Sequence, residues 1–321
     1  MDAARPNAPP ARRTVSRSVT VRVPAKVNVQ LAVGGPRPDG FHDLANVFLA
    51  VGLYDEVTVT PADTLRVTAS GPGTDQIPLD ATNLAARAAI ALAERHGLAP
   101  DVHIHIIKDI PVAGGMAGGS ADAAAALLAC DTLWGTGASQ PELLALCAEL
   151  GSDVPFSLIG GAALGQGRGE LLTPVPVGGT FHWVFAVADG GLSTPAVYRE
   201  CDRLRGAAVI AAPEPAPVLL DALRTGDTTA LAAALTNDLQ PAALSLRPSL
   251  RETLDAGTHA GALAALVSGS GPTCAFLAKD AASAAALTTA LLTSGTCRTA
   301  RAAAAPAQGA VVVPTPAEAT S

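Results

Sequence analysis

Residues 111–124 read Pro111-Val112-Ala113-Gly114-Gly115-Met116-Ala117-Gly118-Gly119-Ser120-Ala121-Asp122-Ala123-Ala124 and carry the strongest structural signal of the chain. An alternating apolar run at 102–108 precedes them and predicts a strand, and an alanine-rich run at 120–133 follows and predicts a helix. Glycines let the backbone aim successive N–H groups at an anion, and a helix start adds the positive end of its dipole. This order favours a phosphate-binding loop over an ordinary flexible turn.

Two common nucleotide-binding motifs do not fit this stretch. No Gly-Lys-Ser/Thr sequence follows the glycines, which excludes a Walker A loop. The Gly-x-Gly-x-x-Gly spacing is absent as well, and no first βαβ unit opens the chain, which makes a Rossmann-type oxidoreductase a distant alternative.

A second glycine-rich segment, Ser268-Gly269-Ser270-Gly271-Pro272-Thr273, lies between predicted strands at 263–268 and 273–278. By itself it is typical of a tight hairpin. It could also supply a second set of backbone donors to a substrate or a phosphate.

Two charged residues are candidates for catalysis. Lys26, one of three lysines, follows Pro24-Ala25 within a run of alternating valines. A lysine there needs an anionic partner, unless its side chain extends to the surface. Asp153, in Gly151-Ser152-Asp153-Val154-Pro155-Phe156, either caps a turn or takes a proton from a hydroxyl nucleophile.

A short loop offers a ligand contact of another kind. In Asp39-Gly40-Phe41-His42, the histidine and the aromatic ring are each ordinary when taken alone. Together they could hold a polar aromatic ligand by one hydrogen bond and one ring face.

Composition limits the function classes. The chain has 321 residues, with 49% hydrophobic and 15% charged, which excludes a disordered protein and predicts about two domains. The net charge of −7 disfavours nucleic acid as a partner. No apolar run is long enough to cross a membrane. Five scattered cysteines at no metal-ligand spacing favour a reducing, cytoplasmic location.

Periodicity and turn residues predict mixed helices and strands. A Pro-rich tail at 1–18 carries Arg5, Arg12, Arg13 and Arg17, and an Ala/Pro-rich loop covers 206–217. Strands are predicted at 18–33 (two, or one bent), 44–52, 55–60, 65–69, 183–188 and 309–313. Helices are predicted at 82–96, 140–150, 194–205, 217–223, 227–235, 248–256 and 281–292.

Taken together and in this order, the motifs resemble the kinase superfamily that includes galactokinase, homoserine kinase, mevalonate kinase and phosphomevalonate kinase. The resemblance rests on Pro-Ala-Lys-Val-Asn at 24–28, on the two glycine-rich loops, and on Asn-Asp-Leu-Gln-Pro at 237–241. It implies an α+β fold with an N-terminal ribosomal-protein-like domain containing a left-handed βαβ unit, and a C-terminal ferredoxin-like sandwich. The implied domains cover 19–160 and 161–313, between tails at 1–18 and 314–321.

The resemblance also implies roles for particular residues. Asp153 matches the catalytic aspartate and Lys26 its partner, and His42 matches the residue that reads a cytosine edge. Phe41 stands where the family usually has Tyr, and Met116-Ala117 replaces a common Leu-Gly. The implied ATP-binding residues are Asn83, Pro111, Val112, Ala113, Gly114, Gly115, Met116, Ala117, Gly118, Gly119, Ser120 and Ala121. The implied substrate-binding residues are Asn28, Phe41, His42, Asp153, Thr194, Pro195, Tyr198, Gly269, Ser270 and Gly271.

Within the superfamily, the finer motifs are similar to the branch that acts on a cytidine-diphosphate-linked methylerythritol. The implied reaction is ATP-dependent phosphorylation of the 2-hydroxyl of that molecule, with Mg²⁺, in isoprenoid synthesis by the non-mevalonate route. A homoserine or mevalonate kinase and a non-catalytic nucleotide sensor are the alternatives. We expect a monomer or homodimer, and the sequence does not identify the metal ligands.

Overall fold

A computed structural model of the chain describes residues 18–112 and 114–314. The predicted N-terminal tail up to residue 17 with its four arginines, the C-terminal tail from residue 315, and Ala113 of the glycine-rich loop lie outside the described residues.

Helices and strands are mixed along the described chain. The strands are β1 (Val19–Pro36), β2 (His42–Pro61), β3 (Arg66–Ser70), β4 (Val102–Ile107), β5 (Ala162–Gln166), β6 (Leu171–Pro174), β7 (Phe181–Val187), β8 (Thr236–Asn237), β9 (Ala264–Val267), β10 (Cys274–Ala278), β11 (Thr299–Ala305) and β12 (Val311–Val313). The helices are α1 (Leu84–His96), α2 (Gly118–Trp134), α3 (Gln140–Leu150), α4 (Val154–Ile159), α5 (Thr194–Arg205), α6 (Pro217–Thr225), α7 (Thr228–Ala234), α8 (Gln240–Leu246), α9 (Leu250–His259) and α10 (Ala281–Ser294).

The first sheet is built on two long antiparallel strands, β1 and β2. The break in alternation at Pro24 is a register shift within one continuous strand, because Pro has no N–H to give to the ladder. A second shift, between Asn28 and Gln30, follows Lys26 closely. The strands predicted at 44–52 and 55–60 are likewise one strand, β2. Alternating valines of β1, such as Val21 and Val27, are fully buried.

Helix α2 packs against β1 and β2, and α1 packs on α2. α1 connects the parallel neighbours β3 and β4, which forms the βαβ unit. It begins after Asn83, whose Oδ1 accepts from Ala85 N at 2.8 Å, and it ends at Gly97 in the left-handed conformation. The buried faces of both helices consist largely of alanine, which allows a close approach.

The second sheet has the order β11-β7-β10-β9 and is antiparallel throughout. Helices α9 and α10 pack against it. Numbered within this half, the strand order is 4-1-3-2, with helices after the first and third strands, which is the ferredoxin-like arrangement. The α+β prediction with two sheets is therefore confirmed.

Segments from the second half of the chain also join the first sheet. The hairpin β5–β6 follows residue 160 but pairs with β2, and β8 and β12 pair with β1. The first sheet therefore extends past the division predicted at residues 160–161. No helix in the described part of the chain combines the length and the apolar character that crossing a bilayer requires.

Candidate active site

One cavity of about 840 Å³ brings most of the predicted site residues together. It opens between the two glycine-rich loops, the start of α2, the 40–42 loop and helix α5. Of the predicted residues, it is lined by Lys26, Asn28, Phe41, His42, Gly114, Gly115, Ala117, Gly118, Gly119, Ser120, Asp153, Thr194, Pro195, Tyr198, Gly269, Ser270 and Gly271.

The two glycine-rich loops touch through their backbones. Gly115 has φ +76°, and a Cβ built there would lie 2.2 Å from the carbonyl oxygen of Ser268. Only glycine fits this position, because it allows both the conformation and the close approach. The Gly115 carbonyl also accepts from Ser268 Oγ at 3.1 Å. Asn237 holds the second loop by donating from Nδ2 to the carbonyls of Val267 and Gly269, at 2.7 and 2.8 Å.

Helix α2 presents its N-terminus to the cavity without a side-chain cap. The residue before the helix, Ala117, has φ +61° and is the only non-glycine residue with positive φ in the described ranges. The first helical N–H groups, at Gly118 and Gly119, have no intrahelical acceptor. Together with the dipole of this 17-residue helix, they form an anion-binding end beside Ser120.

Lys26 points its ammonium into the cavity. It donates to Asn28 Oδ1 at 2.7 Å and to the Gly115 carbonyl at 3.2 Å, and it lies 3.5 Å from Asp153 Oδ2. Asn28 is held in turn, donating from Nδ2 to Asn46 Oδ1 at 2.7 Å. Two of the three Lys26 contacts are therefore neutral, and part of its positive charge remains available to an incoming anion.

Asp153 directly precedes α4, and its carbonyl anchors that helix by accepting from Ser157 N at 3.1 Å. Its carboxylate is 32% exposed and faces the cavity. It therefore has an ammonium on one side and space for a hydroxyl on the other. That is the arrangement required to orient a nucleophile and accept its proton.

Helix α5 forms the opposite wall near the 40–42 loop. Asp202 Oδ1 lies 3.0 Å from His42 Nε2, and the Tyr198 ring packs on the imidazole with centroids 5.0 Å apart. Burial, reinforced by the negative charge of Asp153, raises the pKa of the Tyr198 hydroxyl. Tyr198 is therefore a neutral ring at physiological pH.

The outer edge of the cavity carries an aromatic ring and a cation. Phe41 is 48% exposed, and the Arg168 guanidinium lies 5.1 Å from its ring centroid. The N-terminus of α5 is tied to the second glycine-rich loop by Thr194 Oγ1 and Ser270 Oγ, 2.8 Å apart. The first contact joins the 40–42 loop to the turn between β5 and β6, and the second joins α5 to the second glycine-rich loop.

A smaller cavity of about 250 Å³ lies on the other side of the first loop. Asn83 and Val112 line it together with Gly119, a residue shared with the larger cavity. The side chain of Asn83 is already used in capping α1 and in donating to the Pro78 carbonyl at 2.7 Å. Asn83 therefore contributes to the shape of this cavity and does not supply a free hydrogen-bonding group.

A buried ion triad borders the smaller cavity. Lys108 donates to both Asp55 and Asp122, with 2.8 Å to Asp122 Oδ2. Asp55 Oδ1 also accepts from the backbone N–H groups of Asp109 and Ile110 at 2.7 and 2.8 Å. Burial would lower the pKa of Lys108, but the two carboxylates outweigh burial and raise it. Burial raises the pKa of Asp122 against the attraction of Lys108.

Three predicted ATP-site residues do not line either cavity. Met116 and Ala121 are fully buried in the core, and Pro111 packs beside Gly114. Only the backbone of Met116 approaches the site, where its carbonyl accepts from Lys26 N at 3.3 Å. Any part these residues play is through the shape of the loop.

Sequence reasoning missed five polar residues of the larger cavity: Asn46, Ser152, Arg168, Arg199 and Asp202. A signal existed for two of them. Asn46 interrupts an apolar strand. Asp202 follows Tyr198 by four residues, which places Tyr198 and Asp202 on the same face of a helix. Arg168 is in a short turn between β5 and β6, two strands that the sequence analysis did not predict.

The donor atoms at the site are compatible with Mg²⁺. The Asp153 carboxylate and the Ser120 hydroxyl are hard oxygen donors on the same cavity. No group of three or more His, Cys, Asp or Glu side chains is placed to hold a metal in the described ranges. Such a sparse set suits Mg²⁺, which takes few protein ligands and completes its shell with substrate phosphates and water.

Family comparison identifies the class of protein. The GHMP kinases N terminal domain matches residues 83–161, and the GHMP kinases C terminal domain matches residues 219–295. The first match contains the α2 loop and Asp153, and the second contains the second glycine-rich loop. The fold and the cavity thus define an ATP-dependent small-molecule kinase of the GHMP class.

Individual relatives narrow the assignment. The 4-diphosphocytidyl-2-C-methyl-D-erythritol kinase of Streptomyces avermitilis is 76% identical over 92% of this chain and 100% of its own length. The enzyme of the same name from Mycolicibacterium smegmatis is 59% identical over 93% of this chain and 94% of its own. This chain belongs to the family of 4-diphosphocytidyl-2-C-methyl-D-erythritol kinases.

Solved structures agree with this membership. A crystal structure of 4-(cytidine 5'-diphospho)-2C-methyl-D-erythritol kinase is 32% identical, with a TM-score of 0.72 over 89% of this chain and 99% of that one. A homoserine kinase from Cytophaga hutchinsonii, 20% identical, has a TM-score of 0.70 over 94% of this chain and 99% of its own. The second likeness shows the shared fold alone.

Proposed function

We propose that the chain transfers the γ-phosphoryl group of ATP to the 2-hydroxyl of 4-diphosphocytidyl-2-C-methyl-D-erythritol. The observation that carries this proposal is the 3.5 Å pair of Lys26 and Asp153 beside the glycine-rich cradle. Its two members are distant in sequence, and their separate motifs predict one cavity with an acid, a cation and a phosphate site.

The triphosphate lies along residues 114–120 in this proposal. The backbone there and the uncapped start of α2 offer N–H groups and the positive end of a helix dipole. The adenine occupies the smaller cavity behind Gly119, where Asn83 shapes the wall. Mg²⁺, held by phosphate oxygens with Ser120 or Asp153, would neutralise charge on the phosphates.

Asp153 accepts the proton of the attacking hydroxyl as its oxygen forms the new bond to phosphorus. The bond between the γ-phosphorus and the β–γ bridging oxygen breaks, and ADP leaves. Because the transition state is loose, positioning and charge stabilisation dominate catalysis. Lys26, 3.5 Å from the Asp153 carboxylate, helps to orient it and stabilises negative charge on the transferring group. Its neutral partners Asn28 and Gly115 hold it in place without cancelling its charge.

The cytidine end lies between the 40–42 loop and α5. His42 makes the polar contact to the base, and Phe41 and Tyr198 supply apolar ring surface. Thr194, Pro195 and residues 269–271 line the wall between the base and the reaction centre. Binding energy from this remote end holds the hydroxyl in line with the phosphate.

The test is phosphate transfer from ATP to the cytidine substrate, with the position of the new phosphate fixed by ³¹P NMR. Homoserine and mevalonate serve as control acceptors, since neither has a base for His42 to contact. Turnover of the cytidine substrate alone, with the phosphate on the 2-hydroxyl, is the expected result. Turnover of a control acceptor instead, or ATP binding without transfer to any of the three, would contradict the proposal.

The proposal extends to the partners, the cellular location and the oligomeric state of the protein. The net charge of −7 supports a protein without a nucleic-acid partner. All five cysteines are free thiols, which supports a reducing cytoplasm. The predicted monomer or homodimer is tested by sedimentation equilibrium.

A further inference from the structure

Two side chains of helix α5 contact His42, the residue that reads the base in the proposed function. Both carboxylate oxygens of Asp202 approach His42 Nε2, at 3.0 and 3.2 Å. Tyr198, one turn earlier on the same helix face, packs against the imidazole with ring centroids 5.0 Å apart. All three residues line the larger cavity.

This contact fixes which nitrogen of His42 carries the proton. A neutral imidazole has one N–H donor and one lone pair, whereas an ionised carboxylate only accepts. The proton of the neutral ring is therefore on Nε2, and Nδ1 presents its lone pair. Within the described ranges Nδ1 has no hydrogen-bond partner, and it is not among the buried unpaired atoms. The lone pair is therefore unpaired and not fully enclosed, on a residue that lines the larger cavity.

We propose that Asp202 is a positioning residue that makes His42 selective for an amino group, and against a carbonyl, on the base of the substrate. The inference rests on the proposed function, in which the base lies against His42. Cytosine carries the donor N4–H₂ where uracil carries the acceptor O4. A lone pair fixed on Nδ1 attracts the first group and repels the second. Asp202 acts through His42 and does not touch the substrate.

The experiment compares two substrates that differ only in the base, cytidine and uridine. In Asp202→Asn, the amide offers both an acceptor oxygen and a donor nitrogen, so either tautomer of His42 becomes compatible. We expect the preference for cytidine in kcat/KM to fall by about tenfold, mostly through a higher KM for the cytidine substrate. The KM for ATP and the kcat at saturation should change by less than about twofold, as for a group remote from the phosphates.

A matched variant and a second substitution separate this role from general damage to α5. Glu200→Gln removes a carboxylate from the same helix, off the cavity and paired with Arg203, and should leave the base preference unchanged. Asp202→Ala removes the partner altogether and should lower the preference at least as much as Asp202→Asn. A loss of cytidine preference in Glu200→Gln as large as in Asp202→Asn would assign the effect to the helix and overturn the inference.

A spectroscopic measurement reads the tautomer directly. Long-range ¹H–¹⁵N NMR of the wild type, at a pH where the ring is neutral, should show Nε2 protonated, and Asp202→Asn should show a mixture. A wild type with the proton on Nδ1, or an unchanged base preference in both Asp202 variants, would overturn the inference. If the wild type turns over neither substrate, the proposed function itself fails.

Discussion

Lys26 and Lys108 are buried to nearly the same degree, at 5% and 3% exposure, but their surroundings differ in kind. Lys108 donates to two carboxylates that are themselves buried, so its positive charge is compensated within the protein interior. Lys26 has two neutral partners and one carboxylate that is 32% exposed. Burial alone therefore does not distinguish a functional lysine from a structural one. What marks it is a charge left partly uncompensated at a cavity.

The largest effect is expected from Asp153→Asn. The amide keeps the shape of the carboxylate but cannot accept the hydroxyl proton, so kcat should fall by about 10²–10⁴-fold. Single-turnover measurements of phosphoryl transfer check this, with thermal unfolding as the control for folding. A decrease in kcat of less than tenfold would leave Asp153 as an orienting group and weaken the contrast between the two lysines.

The two lysines themselves provide the next test, through matched Lys→Met variants. Lys108→Met leaves two buried carboxylates without a cation and should cost about 3–5 kcal/mol of unfolding free energy. Lys26→Met should cost no more than about 1–2 kcal/mol, because Asp153 stays partly hydrated. It should nevertheless lower kcat by about 10²-fold. Urea unfolding and steady-state kinetics on both variants give the comparison, and equal stability losses would contradict it.

A smaller and more selective effect is expected at the base end of the cavity. His42→Ala removes one polar contact, so the KM for the cytidine substrate should rise about tenfold. The KM for ATP should be nearly unchanged, because the phosphate cradle is formed by other elements. Equal rises in both KM values would show that His42 does not contact the base.

The smallest effect concerns the backbone before α2. Ala117 has φ +61°, where a side chain is disfavoured and glycine is not. Ala117→Gly should therefore raise the free energy of unfolding by about 0.5–1 kcal/mol, after the greater unfolded-state entropy of glycine is subtracted. Ala121→Gly, inside the helix, should change stability in the opposite direction. Chemical denaturation of both variants checks the signs.

The sequence predicts elements better than it predicts their assembly. Period-two valines indicate β1, and the pattern of residues 82–96 indicates α1, because those signals are local. The hairpin β5–β6 was missed because its segment, 162–174, is short and only weakly alternating, and pairing with β2 supplies its order. The joining of β12 to β1 is likewise a contact across almost the whole chain.

The same division holds for the cavity. Lys26 and Asp153 were identifiable because each is a charge in an apolar or turn context that needs an explanation. For Asp202, the four-residue spacing from Tyr198 was too weak a signal, because a charged residue on an amphipathic helix is usually solvated and only the fold brings it to His42. Asn46 is recognisable as a polar residue in an apolar strand, but its support of Lys26 through Asn28 is not, because a relay of side chains leaves no spacing in the sequence.

The close approach of Gly115 to the backbone at Ser268 limits which substitutions this enzyme can accept. No side chain takes part on the Gly115 side, so this join between the two halves of the chain does not depend on any matched pair of residues. A change of side chain elsewhere in either half leaves this backbone contact itself unchanged. One methyl group at position 115, however, would collide with a main-chain oxygen and force apart the two glycine-rich loops that line the larger cavity.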